Sequence, residues 1–319
     1  IVIWELIMKA YFYKTTKNNK KFICSKFDNS YERVTIYHED GNIYQQYWQQ
    51  GAVEYESKTG NLVDNIPNLS IISVNDVGHI TSHVWRPGLC LELPLALEID
   101  EGEKARAKRD LKILIEKLHE ILLYVEPAQI CLKVYGHKIR ELLILACTEC
   151  ENAWASYMRF AGNNNARLTT NDYVKLKEKL FLNDYCVTFF SHPIVQKITP
   201  FDQWNAQNPT TSLSWYDSYN KTKHNKDKFF SEATLEHCLN AIAANIVMFC
   251  VRYSPYELLN SDDICSKLIN EYFSIELIAP KIETFYIPYL KSVQMASGVF
   301  SAPLASTFEQ NWIIDPLVL

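Results

Sequence analysis

The hydrophobic and polar positions change period once along this chain. Up to about residue 98 the apolar residues fall in short, partly alternating runs, the signal of half-buried strands. From Glu101 onward they recur every three to four residues, the signal of helices that pack by one face. The pattern predicts an α+β chain. An antiparallel β-rich front domain covers 1–100, a connecting helix 101–128, and a mainly helical domain 129–319 that ends in an irregular extension.

In the front part, 9–13 and 21–24 read as short strands. Residues 34–37 and 43–48 flank Asp40-Gly41, a dipeptide suited to tight hairpins. Residues 52–55 and 62–63 flank Thr59-Gly60, and 69–74 and 80–85 flank 76–78, which predicts two further hairpins. Arg86-Pro87-Gly88 closes this meander, and 91–97 is one more strand candidate.

Beyond it, Leu111, Leu114, Ile115, Leu118, Ile121, Leu122 and Val125 form a heptad seam that stops before Pro127. Such a seam can be buried within the chain or between two copies. The opposite face, with Lys104, Arg106, Lys108, Arg109, Lys112 and Lys117, reads as solvated. A second helix spans 137–161, with Leu142, Leu143, Ala146, Cys150, Trp154 and Tyr157 in its buried stripe and Gly162 as its stop. A third is predicted over 172–182. Three prolines, Pro193, Pro200 and Pro209, predict an ordered but irregular connection over 184–213. A helix from about Ala233 to Tyr253 and another to about Phe273 come next. The tail from Ser274 reads as a wrapping extension.

Composition narrows the function classes. The formal charge is −5, so any nucleic-acid contact must be a local patch. The nine cysteines are odd in number and scattered, which predicts reduced thiols in the cytoplasm and no disulfide framework. No uninterrupted apolar run reaches the roughly 18 residues of a membrane span. Residues 1–7 look like sequence upstream of a natural start at Met8. The chain has no Gly-rich phosphate loop, no G-x-S-x-G and no H-E-x-x-H. Cys147 and Cys150 match C-x-x-C without partner ligands, so core packing is the expected role, and neither a metal nor a cofactor is expected.

The chemistry concentrates in Trp215 to Lys228. On a helix, Asn220, Lys223 and His224 stand at i, i+3 and i+4 and share one face. These are the candidate catalytic residues, with His224 as acid or base. Lys221, Lys226 and Lys228 extend a positive field suited to a phosphodiester, and Trp215 and Tyr219 are aromatic candidates for the same substrate. The expectation is that Asn220 and His224 share a pocket with Trp215 or Tyr219, and that Glu149 is the acid nearest to them. The bland alternative is a helix entry with a solvated basic face.

These residues also carry a family resemblance. Arg140-Glu141-Leu142-Leu143, then Glu149-x-Glu151-x-x-Trp154, then W-Y-x-x-Y-N-K-T-K-H before an Ala-rich helix, resemble HEPN-like helical domains over roughly 137–255. The likeness is strongest to uncharacterised bacterial proteins with a W-x-x-Y-N-x-x-K-H stretch. It implies a helical bundle that pairs with itself as a homodimer. It also implies RNA as partner, since many members are metal-independent ribonucleases of toxin–antitoxin or phage-defence systems. Their signature is an Arg followed at four to six residues by His. Counting back from His224 gives Tyr219, Ser218 and Asp217, none of them Arg. Lysine in its place lacks the bidentate fork that fixes a phosphate. Two readings result: an RNA-cleaving or RNA-associated protein, or a non-catalytic module whose front domain binds a protein partner.

Overall fold

The computed structural model describes residues 9–17, 20–27, 32–33, 70–76, 79–87, 97–191, 194–259, 263–278, 280–281, 284–286 and 312–319. The chain divides into two compact units, Ile1–Ser82 with Arg86–Glu98 and Ala279–Asp315, and His83–Trp85 with Ile99–Ile278 and Pro316–Leu319.

In the first unit, β1 (Lys9–Lys17) and β2 (Lys20–Phe27) pair antiparallel in the register Tyr13↔Cys24. They sit in a sheet with β3 (Glu32–Arg33) and β4 (Ser70–Asp76), ordered β3-β2-β1-β4. β5 (His79–Thr81) does not return on β4 as a hairpin. It pairs in parallel with β9 (Ile313–Asp315), and His79 Nδ1 lies 3.0 Å from Asp315 Oδ2. A parallel partner more than two hundred residues away cannot be read from a local turn signal. The hairpins expected within 34–63 and the strand at 91–96 lie outside the described residues.

The second unit is mainly helical. α1 (Glu101–Leu122) starts at Asp100, whose side chain accepts from the Glu103 backbone N–H at 2.6 Å. Glu101 and Glu103 place negative charge on the first turn, where the helix dipole favours it. Leu111, Leu114, Ile115, Leu118 and Ile121 of the seam are buried within the chain, against α2 (His137–Phe160), α7 (Leu235–Tyr253) and α9 (Ile264–Tyr272). α2 ends where predicted, at Gly162 with φ +76°, a conformation glycine adopts without strain. The helix expected over 172–182 is broken into α3 (Thr170–Tyr173) and α4 (Leu176–Lys179).

α7 is the hub. Ala241, Ile242, Ala243, Ala244, Ile246, Val247 and Val251 are all fully buried, so the helix is covered on every side. Its length and apolarity also match a membrane span, although no unbroken apolar run flagged one, and 83% of that window is buried inside the unit. Its small side chains let α2 come close, and Cys238 Sγ and Asn245 Nδ2 bond the Ile139 and Ala146 carbonyls at 3.0 and 2.8 Å.

The connection expected to be irregular over 184–213 holds two strands. β6 (Tyr185–Ser191) and β7 (Ile194–Ile198) form a hairpin, and β8 (Phe273–Leu277), read as tail, completes the antiparallel sheet β7-β6-β8. Tyr185, Cys186, Val187, Thr188 and Phe189 are buried in succession, so β6 shows no alternation to read. The irregular stretch that the prolines signal is confined to the residues after β7. There, Trp204 Nε1 donates to the Pro209 carbonyl at 2.8 Å and Trp215 Nε1 to the Pro200 carbonyl at 3.0 Å.

Trp154 sits at the centre of that aromatic cluster. It stacks on Trp204 at 4.9 Å and meets Tyr216 at 5.3 Å, Tyr173 at 5.4 Å and Trp215 at 6.1 Å between ring centroids. Replacing it by alanine removes contacts to these four rings and to Phe201 at once. Trp154→Ala should lower unfolding free energy by about 3–5 kcal/mol in chemical denaturation; a loss under about 1 kcal/mol would mean the cluster collapses onto the gap.

Candidate nucleic-acid interface

α5 (Ser214–His224) has two faces of different chemistry. The inner face carries Trp215, Tyr216, Ser218, Tyr219 and Thr222, all buried. The outer face carries half-buried Asn220 and Lys221, and exposed Lys223 and His224. Trp215 and Tyr219 therefore cannot stack on a substrate from where they stand, and they share no pocket with the exposed His224 ring.

Tyr219 belongs to an inner polar network. The Tyr216 hydroxyl donates to Glu151 Oε1, the Tyr219 hydroxyl donates to Glu151 Oε2 at 3.1 Å, and Lys223 Nζ donates to the Tyr219 hydroxyl at 2.7 Å. One carboxylate thus gathers two tyrosines and, through one of them, a lysine. Burial pushes both hydroxyls above the ordinary tyrosine value, Tyr216 far above, and the Glu151 carboxylate beside them adds to it. The bond to Tyr219 raises the Lys223 ammonium. Glu149 is not this acid. It faces a separate cleft with α1 and α7. The spacing of Tyr216 and Tyr219 at i, i+3 could have signalled a shared acceptor, because such residues adjoin on a helix.

The C-terminal end of α5 is held from α2. Arg140 Nε and Nη2 donate to the Thr222 carbonyl at 3.2 and 2.8 Å, a basic side chain on a helix's last carbonyls. A guanidinium thus stands at the last turn of α5, although no arginine precedes His224 in that helix. Its Nη1 makes no hydrogen bond among the described residues. The sequence offered no signal for this pairing across more than eighty residues.

Beyond His224 the chain turns through Asn225, whose side chain caps α6 (Lys226–Phe229). Here every lysine of the cluster lies near an aromatic ring. Lys221 Nζ is 5.7 Å and Lys228 Nζ 5.0 Å from the Phe229 centroid, Lys226 Nζ is 5.6 Å from Phe230, and Lys223 Nζ is 4.9 Å from Tyr219. Phe230 in turn meets Tyr135 edge-on at 5.6 Å and His137 at 4.9 Å. The Tyr135–Thr234 bridge ties these segments together. Lys221 is already paired, to Asp217 at 2.8 Å and Glu232 at 3.2 Å, and these bonds raise its ammonium. Lys226, Lys228 and His224 are exposed, and none makes a hydrogen bond or ion pair from its side chain among the described residues.

Metal chemistry finds no set of ligands here. Among the described residues no three of His, Cys, Asp or Glu cluster to hold an ion. Cys147 and Cys150 are fully buried and burial drives their thiols well above the ordinary value, so both act as core side chains. Comparison with family models, curated proteins and solved structures finds no match to the chain.

The inner network fixes a pH dependence. Tyr216 and Tyr219 keep their protons in the fold above the ordinary value of 10.0, whereas the unfolded chain ionises them near it. Their contribution is fully present below about pH 10 and is lost as the pH rises beyond it. The melting temperature should therefore fall from about pH 10 upward, and less steeply in Tyr216→Phe; parallel curves for the two proteins would remove the network from the alkaline response.

Proposed function

We propose that the α5–α6 corner binds a single-stranded nucleic acid, RNA on the family resemblance, and that His224 and Asn220 face its backbone. The observation that carries this reading is the run of lysines spread over Phe229 and Phe230 and extended by Tyr135. Ammonium groups meet phosphates, and half-exposed rings offer stacking faces to bases of any sequence. The chain as a whole is acidic, so a local basic corner stands out against it.

In this reading Lys226 and Lys228 hold phosphate, and Lys221 serves mainly to order the corner through Asp217 and Glu232. Asn220 stands one turn before His224 on the same face and orients the ribose or the ring. His224 takes the proton of a ribose 2′-hydroxyl as that oxygen attacks the adjacent phosphorus, and the 5′-oxygen leaves with a proton from water. Arg140 and Lys223 supply positive charge to the phosphate in place of an arginine within α5.

A second reading rests on a different observation. Leu123, Tyr124 and Ile130, in and after the turn that ends α1, are 67, 86 and 83% exposed. An apolar edge of this kind suits a protein partner, with the corner as its polar rim.

Fluorescence anisotropy with a single-stranded RNA of about 20 nucleotides separates the two. Lys226→Ala and Lys228→Ala should each weaken binding and flatten the salt dependence by about 0.7 in log–log slope. Phe230→Ala should remove roughly 1–3 kcal/mol of stacking. Unchanged slopes in the double lysine variant would overturn the nucleic-acid reading. With chelator present, His224→Ala should lower cleavage by about 10²–10⁴-fold; cleavage equal to wild type would leave the corner a binding surface without chemistry.

A further inference from the structure

At the other end of α2 and α7 lies a cleft of about 280 Å³ between α1, α2 and α7, within the helical unit. Its size is near the lower end of the range for small-molecule sites. The directions of the three helices are set by bonds between them. Ile139 and Ala146 of α2 meet Cys238 and Asn245 of α7, so these two run side by side in one direction. Lys117–Glu141 and Glu120–Lys138 pair α1 with α2 in the opposite sense. The polar residues of the cleft are therefore sorted along its length.

One end carries two guanidiniums, with the Glu103 carboxylate beside them. Arg252 of α7 is 5% exposed, its guanidinium packs on Phe160 at 5.3 Å and Tyr253 at 5.1 Å, and Arg106 of α1 lines the cleft on the same level. Among the described residues only Nη2 of Arg252 has an acceptor, Glu103 Oε2, at 3.4 Å. A charge-assisted bond is typically about 2.7–2.9 Å, so this contact is long. Nε and Nη1 are buried and have no acceptor among the described residues. A guanidinium held out of water with most of its protons unplaced is a costly arrangement unless an oxyanion completes it.

The other end carries acceptors. Asn245 Nδ2 donates to the Ala146 and Ala241 carbonyls, both at 2.8 Å. Carbonyls only accept, so the amide orientation is fixed and Oδ1 is the atom left to receive a hydrogen bond. Asp110 and Glu149 line the cleft at this level. Asp110 is exposed at the rim; partial burial raises its carboxyl, and the neighbouring Arg109 and Arg106 lower it. Met248 and Phe249 form an apolar wall between the two ends.

We propose that this cleft binds a small extended zwitterion, its carboxylate or phosphate on Arg252 and Arg106 and its ammonium among Asp110, Glu149 and Asn245. Asn245 and Arg252 are seven residues apart on one helix, about 10 Å along its axis, which sets the spacing of the two charges. The oxyanion shares Arg252 with Glu103, whose side chain is about a third exposed and able to swing aside. The apolar wall favours methylenes between the charges. This site is independent of the basic corner, and either can stand without the other.

Calorimetric titration of the full chain with 6-aminohexanoate tests it, with hexanoate and hexylamine as single-charge probes. Saturable binding below about 10 mM is expected, with each single-charge probe weaker by about 10-fold or more. Arg252→Lys keeps the charge but loses the fork and should weaken binding by about 10-fold. Because Arg252 is buried, Arg106→Gln and Asp110→Asn serve as milder variants. Each should weaken binding at least about 3-fold while the circular dichroism spectrum stays native. No saturable binding to wild type would mean that water alone completes Arg252, and would overturn the proposal. Equal binding of hexanoate, or unchanged affinity in both milder variants, would overturn it as well.

Discussion

The helical unit is built around the need to cover α7 on every side. A helix so apolar must be covered along its length, so α1, α2, α5, β6 and the 129–133 turn are all packed against it. Its one interior amide, Asn245, is tolerated because two carbonyls take its protons. Placing that amide fixes the register of α7 on α2. Both the cleft at one end and the basic corner at the other depend on this register.

α5 translates this core into surface chemistry. Its inner tyrosines are anchored by Glu151 and its last turn by Arg140, so α5 is held at two levels along one face of α2. An exposed histidine at the end of a free helix would fray with it. Here the helix end is capped by a guanidinium and closed by Asn225, which keeps Asn220, Lys223 and His224 in one arrangement. The buried network therefore positions the corner even where it does not touch it.

The lysine-rich corner and the arginine cleft differ in how the positive charge is housed. In the corner the ammonium groups of Lys226 and Lys228 stay exposed and lie near rings, an arrangement that salt will screen. In the cleft a guanidinium is withdrawn from water, where geometry decides which partner fits. The first arrangement would suit a polymer, the second one small molecule.

The sequence by itself determined the long helices, α1, α2, α7 and α9, because a period of 3.6 and the Glu101 and Gly162 boundaries are local properties. The polar run from Lys223 to Lys228 is legible too, since no apolar residue interrupts it, and it is exposed. Tertiary structure decided the rest. β6 is buried on both faces and its partner β8 lies more than eighty residues on, so nothing local distinguishes it from a Pro-rich connection. β5 takes a parallel partner at the far end of the chain. Trp215 and Tyr219 turned inward because the aromatic cluster around Trp154 and the Glu151 carboxylate outcompete solvent for them. Glu151 rather than Glu149 meets the tyrosines because two residues on a helix turn the side chain by about 200°, and only packing says which direction is inside. Arg140 reached the His224 end of α5 for the same reason: side chains far apart in sequence meet only once the cores of two helices have fixed their register.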